Sequence, residues 1–102
     1  MDLRSDANDR LFQAVLNLKN IDDCYRFFED LCTIKELRDL SQRFQIATLL
    51  SEGHNYQSIV RKVDASTTTI SRVNQCLNYG TGGYRDALAR MNDAKEAITP
   101  CP

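Results

Sequence analysis

The apolar residues of this chain recur at intervals of three and four, as in Leu11, Phe12, Val15 and Leu16 or Ile70, Val73 and Leu77. A helix gathers positions three and four apart onto one face, whereas a strand needs a period of two to show one face to a core. The branched and aromatic residues do not alternate in that period, and only two prolines and four glycines punctuate 102 residues. Short strands need more breaks than that. The chain is therefore expected to be all-α, with about six helices. Its length fits one domain, residues 1–102, and not two.

Local signals divide the chain further. Ser5 or Asp6 opens a first helix that should end around Asn20, with Leu18 on its stripe. Asp22 suits the N-cap of a second helix, whose Tyr25, Phe28, Leu31 and Cys32 share a face. In "TIKE", Thr33 and Glu36 form a capping box, each side chain satisfying the other's free backbone N–H. The third helix carries Leu37 and Leu40. Ser41 is expected to cap a fourth, with Phe44, Ala47 and Leu50 inward and Gly53 just past its end. "HNYQSIVRKVD" reads as a short helix capped by Asn55, with Ile59, Val60 and Val63 inward. The glycine-rich loop "YGTGGY" precedes a last helix, residues 84–96, carrying Tyr84, Ala87, Leu88 and Met91. The tail, residues 97–102, is expected to fray.

Several functions are disfavoured by composition. No apolar run approaches the ~20 residues that span a bilayer, and no charged-then-apolar leader precedes Ser5. A cytoplasmic protein without a membrane partner is expected. Cys24, Cys32, Cys76 and Cys101 have no C-x-x-C spacing, so the first three are read as packing groups and no metal site is expected. "GTGG" lacks the preceding strand and lysine of a phosphate loop. His54, the single histidine, reads as a solvated loop residue, and no residue is assigned a catalytic role.

The net charge of −1 hides an uneven distribution. Residues 1–40 hold nine acids against six bases, whereas residues 41–79 hold four bases against two acids. The basic excess falls on "SIVRKVDASTTTISR", where two helices joined by a tight turn match a helix-turn-helix. Asp64 is assigned the turn position, in a left-handed backbone that Asp tolerates better than most residues. Ala65 tucks beneath it, Ser66 caps the second helix, and Ile70, Val73 and Leu77 form its buried stripe. Thr67, Thr68, Ser71, Arg72 and Gln75 then point outward. Threonine is a mediocre helix former, yet its short hydroxyl and methyl allow close approach to a base-pair edge. Arg and Gln offer paired hydrogen bonds to guanine and adenine, and a helix start at Ser66 suits a phosphate.

Two stretches, "DLCTIKELRDLSQRFQIATLLSEG" and "YQSIVRKVDASTTTISRVNQCL", resemble the Trp repressor superfamily, most closely its YerC/YecD-like branch, and the similarity runs from about Leu11 to Leu88. The resemblance implies a homodimer interlocked through residues 1–53, with a DNA-reading head over residues 54–79 of each protomer. It implies DNA contacts from Gln57, Ser58 and Arg61 on the first reading helix and from Thr67, Thr68 and Ser71 on the second. Lys62 joins them as a second cation beside Arg61. It also implies an effector pocket at Thr33, Arg43 and Arg72. The glycine that follows the second arginine in that family is Val73 here, and the turn is one residue shorter. A branched side chain there occupies the space of an indole, so no cofactor is expected, tryptophan included, and any small-molecule effector is of unknown identity. The expected function is sequence-specific regulation of transcription, most naturally repression, by a homodimer reading two half-sites of double-stranded DNA. The competing reading is a helical protein-interaction module, which would bind duplex DNA no better than other acidic proteins.

Overall fold

A computed structural model describes residues 2–98, with side chains through residue 93. The described residues form helices and no strands: α1 (Asp6–Leu16), α2 (Ile21–Leu31), α3 (Ile34–Ser51), α4 (Tyr56–Lys62), α5 (Thr67–Tyr79) and α6 (Gly83–Ile98). None of them is long and apolar enough to cross a membrane. The chain divides into two compact units, one ending at Leu37 and the other beginning at Arg38, so α3 contributes to both.

Capping explains most of the boundaries. Ser5 accepts from the Asn8 amide at 3.0 Å and starts α1. The Thr33–Glu36 box is formed in both directions, at 2.9 and 3.1 Å. Asn55 Oδ1 accepts from the Ser58 amide at 2.8 Å and starts α4. α3 ends in a Schellman motif: the Gly53 amide donates to the Leu50 carbonyl and the His54 amide to that of Leu49, both at 3.1 Å. The φ of 91° at Gly53 supplies the left-handed residue that such an ending requires.

Four boundaries differ from expectation. α1 stops at Leu16, four residues before Asn20, and leaves Leu18 outside the helix. α2 is capped by Asn20, whose side chain accepts from the Asp23 amide at 2.8 Å, and Asp22 falls in its first turn instead. There the acid faces the positive end of the helix dipole, a favourable alternative to capping. Ser41 caps nothing: α3 runs through it unbroken, since a serine without a glycine or proline beside it cannot stop a helix flanked by good formers. At the far end, α6 starts one residue early and continues through Ile98, so Ala97 and Ile98 of the expected tail are helical; 99–102 lie outside the described residues.

The first unit buries no residue of α1 or α2. Phe12, Leu16, Ile21 and Ile34 are 58–82% exposed. In the second unit, Ile46 and Ala47 of α3, Ile59 and Val63 from α4 and its end, and Ile70 and Val73 of α5 form a closed core. Leu49, Leu50, Tyr56, Ala65, Tyr84 and Leu88 pack around it. Each fully buried aliphatic side chain contributes about 1.5–3 kcal/mol relative to exposure. Val60 departs from expectation at 41% exposed, because Ile59 and Val63, four apart, already occupy the inner face of a seven-residue helix. Met91 is likewise exposed. Cys24 and Cys76 are exposed, so these two are not the packing groups expected; Cys32 is half-buried, and all three are free thiols. Cys76 falls one position short of Leu77, off the inner stripe of α5.

Candidate nucleic-acid interface

The second unit presents α4 and α5 as a packed pair. The chain leaves α4 with Val63 extended, and the Ala65 amide donates to the Val63 carbonyl at 2.7 Å. That bond closes a three-residue turn around Asp64. No non-glycine residue among those described has a positive φ, so Asp64 does not take the left-handed backbone assigned to it from the sequence. An inverse γ-turn needs no such residue, which is how the connection manages without glycine. Gln42 of α3 donates to the Asp64 carbonyl at 2.6 Å and ties the turn to the core helix.

Ser66 then starts α5, its Oγ accepting from the Thr69 amide at 3.2 Å and lying 3.1 Å from the Thr69 hydroxyl. Behind this cap, Ile70, Val73 and Leu77 are 0, 3 and 6% exposed, as their spacing requires. Thr67, Thr68, Ser71, Arg72 and Gln75 lie at offsets of 0, 1, 4, 5 and 8 along the helix and are all exposed. A helix turns about 100° per residue, so these five share the face opposite the buried stripe. The long side chains of Arg72 and Gln75 extend the same surface.

On α4, Gln57, Arg61 and Lys62 are exposed, whereas Ser58 is half-buried. Arg61 Nε lies 3.4 Å from the Gln57 carbonyl, a weak bond that leaves most of its guanidinium donors for other partners. Ser58 is engaged by His54, Nδ1 to Oγ at 3.2 Å, and His54 Nε2 lies 3.8 Å from Glu52 Oε1. His54 is thus not the solvated loop residue expected. His54 lies one residue before the Asn55 cap, and the first turn of α4 carries Ser58 back to it.

The expected effector residues divide between the units. Arg43 and Arg72 belong to the second and are exposed. Thr33 belongs to the first, where its hydroxyl accepts from the Glu36 amide. The same box holds the Glu36 carboxyl below its ordinary value, first through the backbone bond from Thr33 and second through the Thr33 side chain. Two positioning residues escaped the sequence reading, Gln42 and Thr69. Gln42 acts across 22 residues of chain, a separation at which periodicity carries no signal.

The geometry meets independent support in the sequence pattern of the Trp repressor protein family, which matches residues 7–92. The chain belongs to the Trp repressor family. This is a family of DNA-binding regulators rather than enzymes. The Trp repressor-like fold recurs in a solved structure of a TrpR-like protein from Eubacterium eligens ATCC 27750, with a TM-score of 0.86 and 51% identity, covering 88% of this chain and 93% of that one. A second, from Staphylococcus aureus, gives a TM-score of 0.85 at 48% identity over 88% of this chain and 90% of that one. The uncharacterized protein YerC of Bacillus subtilis (strain 168) is 48% identical over 93 residues, 91% of this chain and 89% of its own length.

Proposed function

We propose that this Trp repressor-family protein is a cytoplasmic, homodimeric repressor of transcription that reads two half-sites through the outer face of α5. The observation that carries the reading is the exposed row of Thr67, Thr68, Ser71, Arg72 and Gln75, backed by three buried aliphatic residues and preceded on α4 by the exposed Arg61 and Lys62. Thr67, Thr68 and Ser71 approach base edges closely; Arg72 and Gln75 supply paired donors and acceptors further along the groove. Gln57, Ser58, Arg61 and Lys62 of α4, with the helix start at Ser66, hold phosphates and fix the register. Because the Ser66 hydroxyl already caps α5, its contribution to DNA comes from the backbone amides of the first turn.

Pairing of two chains follows from the first unit. Helices with one apolar face and no buried residue gain by covering that face, and Phe12, Leu16, Ile21 and Ile34 supply it. A second copy of the same chain presents a matching face, and sedimentation equilibrium should read twice the 11.6 kDa chain mass. Two heads related by a two-fold axis then meet major grooves about one helical turn apart.

Tryptophan fits this chain poorly. Val73, 3% exposed and directly after Arg72, is a branched residue where the resemblance implies a glycine, and that substitution speaks against an indole there. Arg43 and Arg72 suit an acidic or phosphorylated effector better.

Selection from a random duplex library tests the function as a whole. The expected product is a two-fold-related sequence with half-sites about 10 base pairs apart. Recovery of no preferred sequence would exclude the reading.

A further inference from the structure

The chain of groups Glu52, His54 and Ser58 joins the end of α3 to α4, and His54 is the sequence's only histidine. A neutral imidazole has one nitrogen that donates and one that accepts, and the partner of each nitrogen decides which is which. Glu52 is a carboxylate that can only accept; at 3.8 Å from Nε2 it is beyond hydrogen-bond reach, and its negative charge favours the proton on that nitrogen. With the proton on Nε2, Nδ1 is left as an acceptor. Ser58 must then donate its single hydroxyl proton to Nδ1, and toward solvent it offers lone pairs alone. Protonation of His54 reverses the second bond. Nδ1–H donates to Ser58 Oγ, and the hydroxyl proton is released to point outward. Phosphate oxygens, guanine N7 and O6, and thymine O4 are all acceptors, so only the second arrangement lets Ser58 donate to them.

We propose that His54 is a specificity-determining residue, whose protonation sets Ser58 as a hydrogen-bond donor toward DNA and couples that contact to uptake of one proton per head. This rests on the DNA-binding role argued above. Glu52, just past the end of α3, is the charged group at the ring and stabilises the cation, while Arg61 and Lys62 on the last turn of α4 add positive charge to the same short helix and oppose it. Arg61 Nε is turned back to the Gln57 carbonyl. The end of α3 adds the negative pole of its dipole on the stabilising side.

The single histidine makes the test clean, since other side chains ordinarily titrate outside the interval from about pH 5.5 to 7. Affinity for the selected duplex is measured across that interval at fixed salt for the wild type, His54→Asn and Ser58→Ala. The wild type should bind about threefold to tenfold more tightly at the acid end, and both variants should be flat. A flat wild type overturns the proposal, and so does a Ser58→Ala variant that keeps the full pH dependence, because His54 would then act as a charge alone. A wild type with no preferred duplex at any pH removes the DNA-binding role itself, and this proposal with it. Nitrogen chemical shifts of the imidazole in the free protein give a reading that needs no DNA. The neutral ring should carry its proton on Nε2, and a proton on Nδ1 overturns the proposal.

Discussion

The side-chain amide of Gln42 donates to the main-chain carbonyl of Asp64 at 2.6 Å, fastening the turn between the two reading helices to α3. The turn has no glycine and is closed by a single bond within it, Ala65 to Val63. Gln42→Met keeps the length and apolar stem of the side chain and deletes the donor. The expected cost is about 0.5–1.5 kcal/mol in urea unfolding, with faster amide exchange at Ala65. Unchanged exchange at Ala65 would mean that the turn holds its shape without Gln42.

Acid should weaken the start of α3. Glu36 is held in its ionised form by the Thr33 amide and hydroxyl, and its folded value lies below the ordinary 4.5. A depressed folded value means that this contribution is present above 4.5 and is lost as pH falls through the lower folded value. Glu36→Gln keeps an acceptor for the Thr33 amide without the titration. Stability measured between about pH 5 and 3 should therefore fall less steeply in the variant than in the wild type. Parallel curves would contradict the box as an acid-sensitive cap.

Gly80 ends α5, and a Cβ built on it would fall on the carbonyl oxygen of Cys76. That atom belongs to the backbone and cannot swing aside. Gly80→Ala should destabilise the chain by about 1–3 kcal/mol in thermal or urea unfolding. A change under a few tenths of a kcal/mol would show that the end of α5 relaxes freely.

These effects indicate what the sequence could and could not reveal. Caps at Ser5, Asn55 and Ser66 and the box at Thr33 were legible because each is settled within four residues. The inner stripe of α5 was legible because one period governs it. Ser41 misled because a capping residue signals a helix start only where the preceding turn also breaks, and α3 has no such break. Asp64 misled because the turn could be closed in two ways, and the side-chain bond that fastens the observed one comes from Gln42, 22 residues away. His54 was misread for a related reason: the helix-ending Gly53 suggested a solvated loop, whereas α4 begins soon enough to bring Ser58 back beneath the ring.

Arg61 and Lys62 should act on every duplex alike. Arg61→Ala or Lys62→Ala is expected to weaken binding to selected and scrambled sequences in the same proportion, and to reduce the slope of log affinity against log salt by about one. An effect confined to the selected duplex would move these residues from phosphate contact to base reading.

The most direct test of the reading surface is the ratio of affinities for the selected and a scrambled duplex, compared between the wild type and a Thr67→Ala, Thr68→Ala double variant. Neither threonine is buried, and the cap at Ser66 is untouched, so the fold should persist. The ratio is expected to collapse by about 1–3 kcal/mol per lost base contact, while affinity for the scrambled duplex stays level. A double variant that discriminates between the two as sharply as the wild type would contradict the assignment of sequence reading to the outer face of α5.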